Sequence, residues 1–235
     1  MQSNGHNTAN QSNYSRSFLV VGMAAQMSYV TAEYIAGYNA SDYNYLDNTA
    51  SELMAIGSSD RYFFALFYFL HAFFIALFGA GLIRQFSYIK NPSLYTGGIL
   101  LVILGVSYAL ACSIFPMDPP DTSYTTSGYM HITLIGTGAF ALLFSIPIIT
   151  QGVYKEYNWK IFKRYTWMFL PLVILCGILS PIILYADIPL MGLAERIIGY
   201  LSSLWLLTLS YGLMKQLSTP DAYPSKASES NNPNI

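Results

Sequence analysis

The chain has 235 residues, 54% of them hydrophobic and only 10% charged, and its formal net charge is −1. Soluble domains carry about 25% charged residues, so an ordinary soluble globule is excluded, and so small a net charge gives no support to a nucleic-acid partner. The two cysteines, Cys112 and Cys176, fall at different expected depths and outside CxxC spacing, which argues against a disulfide and against a thiolate metal site.

About 20 apolar residues cross the hydrocarbon core as a helix, and six segments meet that length: 17–37, 62–83, 95–115, 129–150, 166–186 and 193–214. The runs are too long and unbroken for barrel strands, which alternate polar and apolar residues. The fold class is therefore all-α, a polytopic bundle of six transmembrane helices over residues 17–214. Residues 1–16 are polar with one basic residue, Arg16, unlike the basic start and short apolar core of a cleavable signal peptide. Segment 17–37 is thus expected to stay as a helix that serves as its own insertion signal. It carries Gln26 at mid-depth and Glu33 in its outer third.

The next loop, 38–60, reads "YNASDYNYLDNTASELMAIGSSD". Within it, "TASELMAI" at 49–56 suggests a short helix begun by Thr49 or Ser51. It either lies on the membrane surface or forms a turn covering the bundle. The second helix is rich in aromatics from Phe63 to Phe78, read as lipid-facing or packing surface, and holds His71 near the membrane centre. Glycines at 79, 81, 97, 98, 105, 136 and 138 suit close helix approach. The third helix ends at "FPMDPP", because proline cannot continue the hydrogen-bond ladder. Asp118 is held just beyond that end. Ser127 or Thr126 can cap the fourth helix, which presents His131 from its first turn. Pro147, Pro171 and Pro181 fall inside helices, where membrane proteins tolerate them. The sixth helix opens with Glu195 and Arg196. Residues 215–235, Pro- and Ser-rich, are expected to be a disordered tail.

Orientation follows from the basic residues. Arg16, Arg84, Lys90, Lys155, Lys160, Lys163, Arg164, Lys215 and Lys226 share one side; Arg61 and Arg196 hold the other. The positive-inside rule puts the first side, with both termini, in the cytoplasm of a cell membrane. Acids cluster on the outer side, among them Glu33, Glu52, Asp118, Asp121, Asp187 and Glu195.

Charged residues within a bilayer cost about 2.5–3.5 kcal/mol each on insertion scales. Glu33, Asp118, His131, Glu195 and Arg196 all reach the outer boundary and form the candidate polar site, with Ser51 and His71 as weaker candidates. Three readings stay open. The residues can be solvated acids and ion pairs of a structural or accessory protein. They can form an acid/base or metal site of a membrane-embedded hydrolase or transferase using Asp118 and His131. They can bind a lipid or small-molecule ligand, or relay protons, in a carrier or receptor, with Gln26 and His71 continuing the path inward. The residues specify no cofactor, metal, substrate or oligomeric state. Arg196 cannot lose its proton. Glu195, about 100° away around the helix, is a poor partner for it, so Asp118 or Glu33 is expected to pair with it.

The pieces "SEL" at 51–53, "GAGLIR" at 79–84, "FPMDPP" at 115–120, His131, "GLAERI" at 192–197 and "LW" at 204–205 resemble, in order and spacing, the prokaryotic six-helix membrane family catalogued as domain of unknown function 998. The resemblance implies an integral membrane protein of six helices and no established activity. Ser51, Asp118, His131, Glu195 and Arg196 are among the matching residues; His71 and Glu33 rest on the depth argument alone.

Overall fold

The computed structural model describes residues 20–35, 38, 43–89, 91–119, 122–186 and 188–218. Among them there is no strand. Helix α1 comprises residues 20–35, and the rest of the expected first span lies largely outside the described residues. Five longer helices follow: α2 (Arg61–Ile89), α3 (Pro92–Ser113), α4 (Thr126–Tyr157), α5 (Lys160–Tyr185) and α6 (Met191–Ser218). Each of the five is long and apolar enough to cross a membrane. In hydrocarbon every backbone N–H and C=O must be satisfied within the segment, which selects helices. The chain is therefore a multi-pass helical membrane bundle.

The helices run longer than the apolar segments. The expected loops at 84–94 and 151–165 are mostly helix: α2 ends at Ile89 and α3 begins at Pro92, while α4 and α5 are joined by residues 158–159. Helicity continues because polar residues leaving the hydrocarbon keep the ladder intact. At about 1.5 Å per residue, the 32 residues of α4 span about 48 Å, well beyond the hydrocarbon core. Asn91 caps α3, accepting from the Leu94 amide at 3.1 Å, while its own amide donates to the Gly152 carbonyl at 3.3 Å and the Glu156 carboxylate at 3.1 Å. Asn158 closes α4 in the left-handed region at φ 50°. Helix α6 runs to Ser218, past the expected end at 214.

At the other end α3 stops at Ser113 with Ile114 as its cap, a little before Phe115–Pro116. The cap of α4 is Thr125, whose hydroxyl accepts from the Gly128 amide at 3.3 Å; neither Thr126 nor Ser127 holds that place. Ser127 instead donates to the Pro116 carbonyl at 3.1 Å. The short helix at 49–56 is a 3-10 helix, Ala50–Met54, with a reciprocal capping box between Thr49 and Glu52. Its Leu53 and Met54 are buried in one cluster with Tyr29, Ala32, Phe64, Tyr68 and Cys112, so it covers the bundle.

Successive helices pack side by side. Helix α1 joins α2 and α6, with Gly22 against Phe78 and Ser210. A second cluster fills the interior from Ala25 to Leu213, with Trp205 at its centre. The Trp205 indole donates to Thr150 at 3.3 Å, which donates to Thr166 at 3.3 Å, which donates to the Phe162 carbonyl at 2.9 Å. Pro147, Pro171 and Pro181 lie inside α4 and α5. Both cysteines are free and buried.

Helices α2 and α3 approach backbone to backbone at a pair of glycines. A Cβ on Gly79 would stand 2.7 Å from the Gly98 carbonyl oxygen, and one on Gly98 would stand 2.8 Å from that of Gly79. Gly136, by contrast, faces open space. Gly98→Leu should therefore destabilise the protein by about 1–3 kcal/mol through overpacking, whereas Gly136→Leu should change it by less than about 0.5 kcal/mol. Unfolding in mild detergent measures both, and equal effects would contradict this packing.

Candidate functional site

One end of the bundle is acidic and carries loops 43–60 and 114–125; the other end is basic. All five boundary residues lie at the acidic end, in two groups.

The first group is built on Arg196, in the first turn of α6. Its side chain is buried, and one guanidinium nitrogen stands 3.0 Å from Oε1 of Glu33, which has no exposed surface. The same nitrogen donates to the Tyr43 hydroxyl. The other terminal nitrogen donates to the carbonyls of Tyr45 at 2.7 Å and Asn48 at 2.9 Å. The rings of Tyr43 and Tyr45 lie 5.4 and 4.8 Å from the guanidinium carbon, within cation–π range. Burial pushes the Tyr43 phenol well above its ordinary range despite the opposing pull of Arg196. It therefore keeps its proton and donates it to the Thr49 carbonyl at 2.9 Å while accepting from Arg196. Glu195 points to the same loop, its carboxylate accepting from the Ala50 amide at 3.0 Å. The amides of Gly192 and Leu193 donate to the carbonyls of Asp47 and Leu46. Loop 43–50 is thus fastened to the start of α6 by side chains and backbone together.

The second group joins α3 to α4. Asp118 is buried; it accepts from the Thr125 amide at 2.7 Å and the Thr125 hydroxyl at 2.8 Å. A carboxylate at a helix start is favoured by the helix dipole. His131 is buried, with Nδ1 placed 2.8 Å from the Phe115 carbonyl and 3.3 Å from that of Ala111. Carbonyl oxygens only accept, so Nδ1 carries a hydrogen; Nε2 is buried without a partner. No hydrogen bond joins Asp118 to His131 among the described residues.

The structure therefore does not gather the five residues into one constellation. Glu33 is the partner of Arg196, and Asp118 is not, because Thr125 occupies its carboxylate. Of the weaker candidates, Ser51 sits half-buried in the 3-10 helix, where Thr49 and Glu52 do the capping. His71 lies in the interior with Nδ1 2.8 Å from the Ala25 carbonyl. There it meets residues that the sequence reading missed. The Tyr29 ring packs on His71 at 5.2 Å, on Tyr68 at 5.6 Å and on Tyr200 at 6.0 Å. Gln26, Tyr29 and Glu33 stand three and four residues apart, hence on one face of α1, and all are buried. The Glu33 level is thereby connected to Gln26 and His71 by a polar strip between α1, α2 and α6. Among the described residues no three His, Cys, Asp or Glu side chains group as metal ligands.

Arg196→Gln and Glu33→Gln should each destabilise the protein by about 3–5 kcal/mol, since each strands a buried charge. Their double mutant should lose less than the sum by more than about 1 kcal/mol. Asp118→Asn with Arg196→Gln should be additive within about 0.5 kcal/mol, as the two share no partner. Arg61→Ala should cost less than about 0.5 kcal/mol, its guanidinium lying 5.4 Å from the ring of its neighbour Tyr62. Unfolding in detergent reads all of these, and an Arg196→Gln protein as stable as Arg61→Ala would sink the pairing.

No curated protein and no solved structure matches this chain. The model of one family, described as "Protein of unknown function (DUF998)", matches residues 23–212. That match runs from α1 to the last turns of α6 and takes in both polar groups of the acidic end, and the chain belongs to this family.

Proposed function

We propose that this chain binds a small polar ligand or a lipid headgroup in the acidic half of the bundle, as a carrier or receptor of the cell membrane. The acidic end faces outward and both termini lie in the cytoplasm. Residues 17–214 form the membrane domain, flanked by the polar segment 1–16 and the tail 215–235. The observation that carries the reading is a set of buried polar atoms without a hydrogen-bond partner beside Glu33: both amide atoms of Gln26 and the Tyr68 hydroxyl. Buried polar groups are normally paired, and leaving one bare costs about 1–3 kcal/mol. A molecule that offers both donors and acceptors relieves that cost. Gln26 supplies a donor and an acceptor, Tyr68 a donor and Glu33 an acceptor. Arg196, held to Glu33 and to the loop, stands at the mouth.

A second reading, a hydrolase or transferase using Asp118 and His131, draws on the unpartnered Nε2 of His131. The engagement of Asp118 with Thr125 weighs against it, since both carboxylate oxygens are already occupied and neither faces His131 with a hydrogen bond. If His131 held a divalent metal, elemental analysis would find it in stoichiometric amount in the wild type and lost in His131→Ala.

Native mass spectrometry of protein purified in mild detergent tests the first reading. The wild type should carry a stoichiometric non-covalent molecule that Gln26→Leu loses. Bare protein in both, or the same adduct in both, would leave the structural or accessory reading in its place. Orientation is tested in a background without Cys112 and Cys176. An impermeant thiol reagent applied to intact cells should label Ser59→Cys and spare Lys155→Cys, and the reverse pattern would invert the molecule.

A further inference from the structure

The basic end carries a cleft of about 270 Å³, open on one side and lined by Tyr154, Lys160, Lys163, Arg164 and Trp167. It sits at the reversal between α4 and α5. Asn158, at φ 50° and ψ 36°, turns the chain so sharply that the last turn of α4 lies beside the first turns of α5. Nζ of Lys163 stands 3.8 Å from the Tyr154 ring centroid.

Three cations crowd the start of α5, which has no acidic residue in its first turn. Two effects oppose this arrangement. The charges repel one another, and the positive end of a helix dipole disfavours cations. Among the described residues, no carboxylate pairs with any of the three. An anion in the cleft removes both penalties, and helix starts suit anions.

The surface next to the cleft identifies the anion. Helix α5 is the least buried of the five long helices. Trp167 is 50% exposed and Met168 75%, and Leu172 and Leu175 continue an exposed apolar stripe. From Arg164 onward these residues recur every three or four positions, hence along one face. A soluble phosphate would use only the cleft. A phospholipid uses both, its phosphate among the cations and its chains along the stripe. Tryptophan at the boundary between headgroup and hydrocarbon is favoured. We infer that the cleft is a binding site for an anionic phospholipid of the leaflet at the basic end, with Lys160, Lys163 and Arg164 holding its phosphate. This site is at the opposite end from Arg196 and is independent of the proposed ligand there.

The full chain, delipidated in mild detergent, is titrated with phosphatidylglycerol or phosphatidylcholine and read by native mass spectrometry. The wild type should retain phosphatidylglycerol about tenfold or more over phosphatidylcholine. Lys160→Gln with Arg164→Gln should lose that preference, about fivefold for each charge removed. Lys163→Gln gives a second measure should the double variant unfold. Lys155→Gln, outside the cleft, should leave retention unchanged. Glycerol 3-phosphate, which lacks chains, should fail to displace the lipid. Equal retention of the two lipids, or an unchanged preference in the cleft variants, overturns the site. Displacement by glycerol 3-phosphate as effective as by lipid reassigns the cleft to a soluble phosphate and overturns the lipid occupant.

Discussion

A guanidinium keeps its proton in any protein environment, and a charge placed among apolar helices is costly until it is paired. Arg196 meets both conditions at the start of α6, and the acidic end of the molecule is arranged around its solution. Glu33 supplies the opposite charge from α1. Its two terminal nitrogens also donate to carbonyls and a phenol of loop 43–50, while Nε is buried without a partner. One side chain thereby ties α1, loop 43–50 and α6 together. The 3-10 helix that follows the loop is buried over Tyr29 and Phe64 because the loop is fastened at that point.

The corner between α3 and α4 is solved with short-range chemistry. Asp118 reaches across seven residues to Thr125, and His131 returns to the end of α3. A histidine ring donating to a helix's last carbonyls satisfies groups that the ladder leaves open. Asp118 does the equivalent for the start of α4. These two residues look catalytic in a sequence because acid and imidazole come close together after a helix break. In the fold they act as the two staples of one turn, with only Nε2 of His131 left over.

Much of the fold was legible because crossing hydrocarbon imposes a minimum apolar length on every helix, so α2 to α6 could be placed within a few residues at their apolar ends. The polar ends of α2 and α4 were not, since nothing in hydropathy marks where a helix stops once it is in water; Asn158 and the Asn91 cap set those stops. The candidate site was half legible. Depth arguments put Glu33 and Arg196 at one level, and adjacency on a helix removed Glu195 as the partner. Depth says nothing of azimuth, however, and Asp118 faces Thr125 on another side of the bundle. The tyrosines around Arg196 and His71 were hidden by abundance, for the chain has 20 of them. The Thr49–Glu52 box was visible as T-x-x-E spacing and is the signal that could have fixed the loop's conformation from the sequence.

The connections at the two ends differ in length, and this bears on how the bundle can move. At the basic end α2 ends at Ile89 and α3 begins at Pro92, and α4 passes into α5 through residues 158–159. Each pair is thus hinged like the two arms of a pair of tweezers, closed at that end. A helix of 22 residues is a lever of about 33 Å, so a tilt of about 5° displaces its far end by about 3 Å. The near end hardly shifts. Any small angular change is therefore largest at the acidic end, and the ties of Arg196, Asp118 and His131 are placed where they resist it with the longest lever arm. The cleft lined by Lys160, Lys163 and Arg164 lies beside one of these short connections, at the end of the lever that moves least.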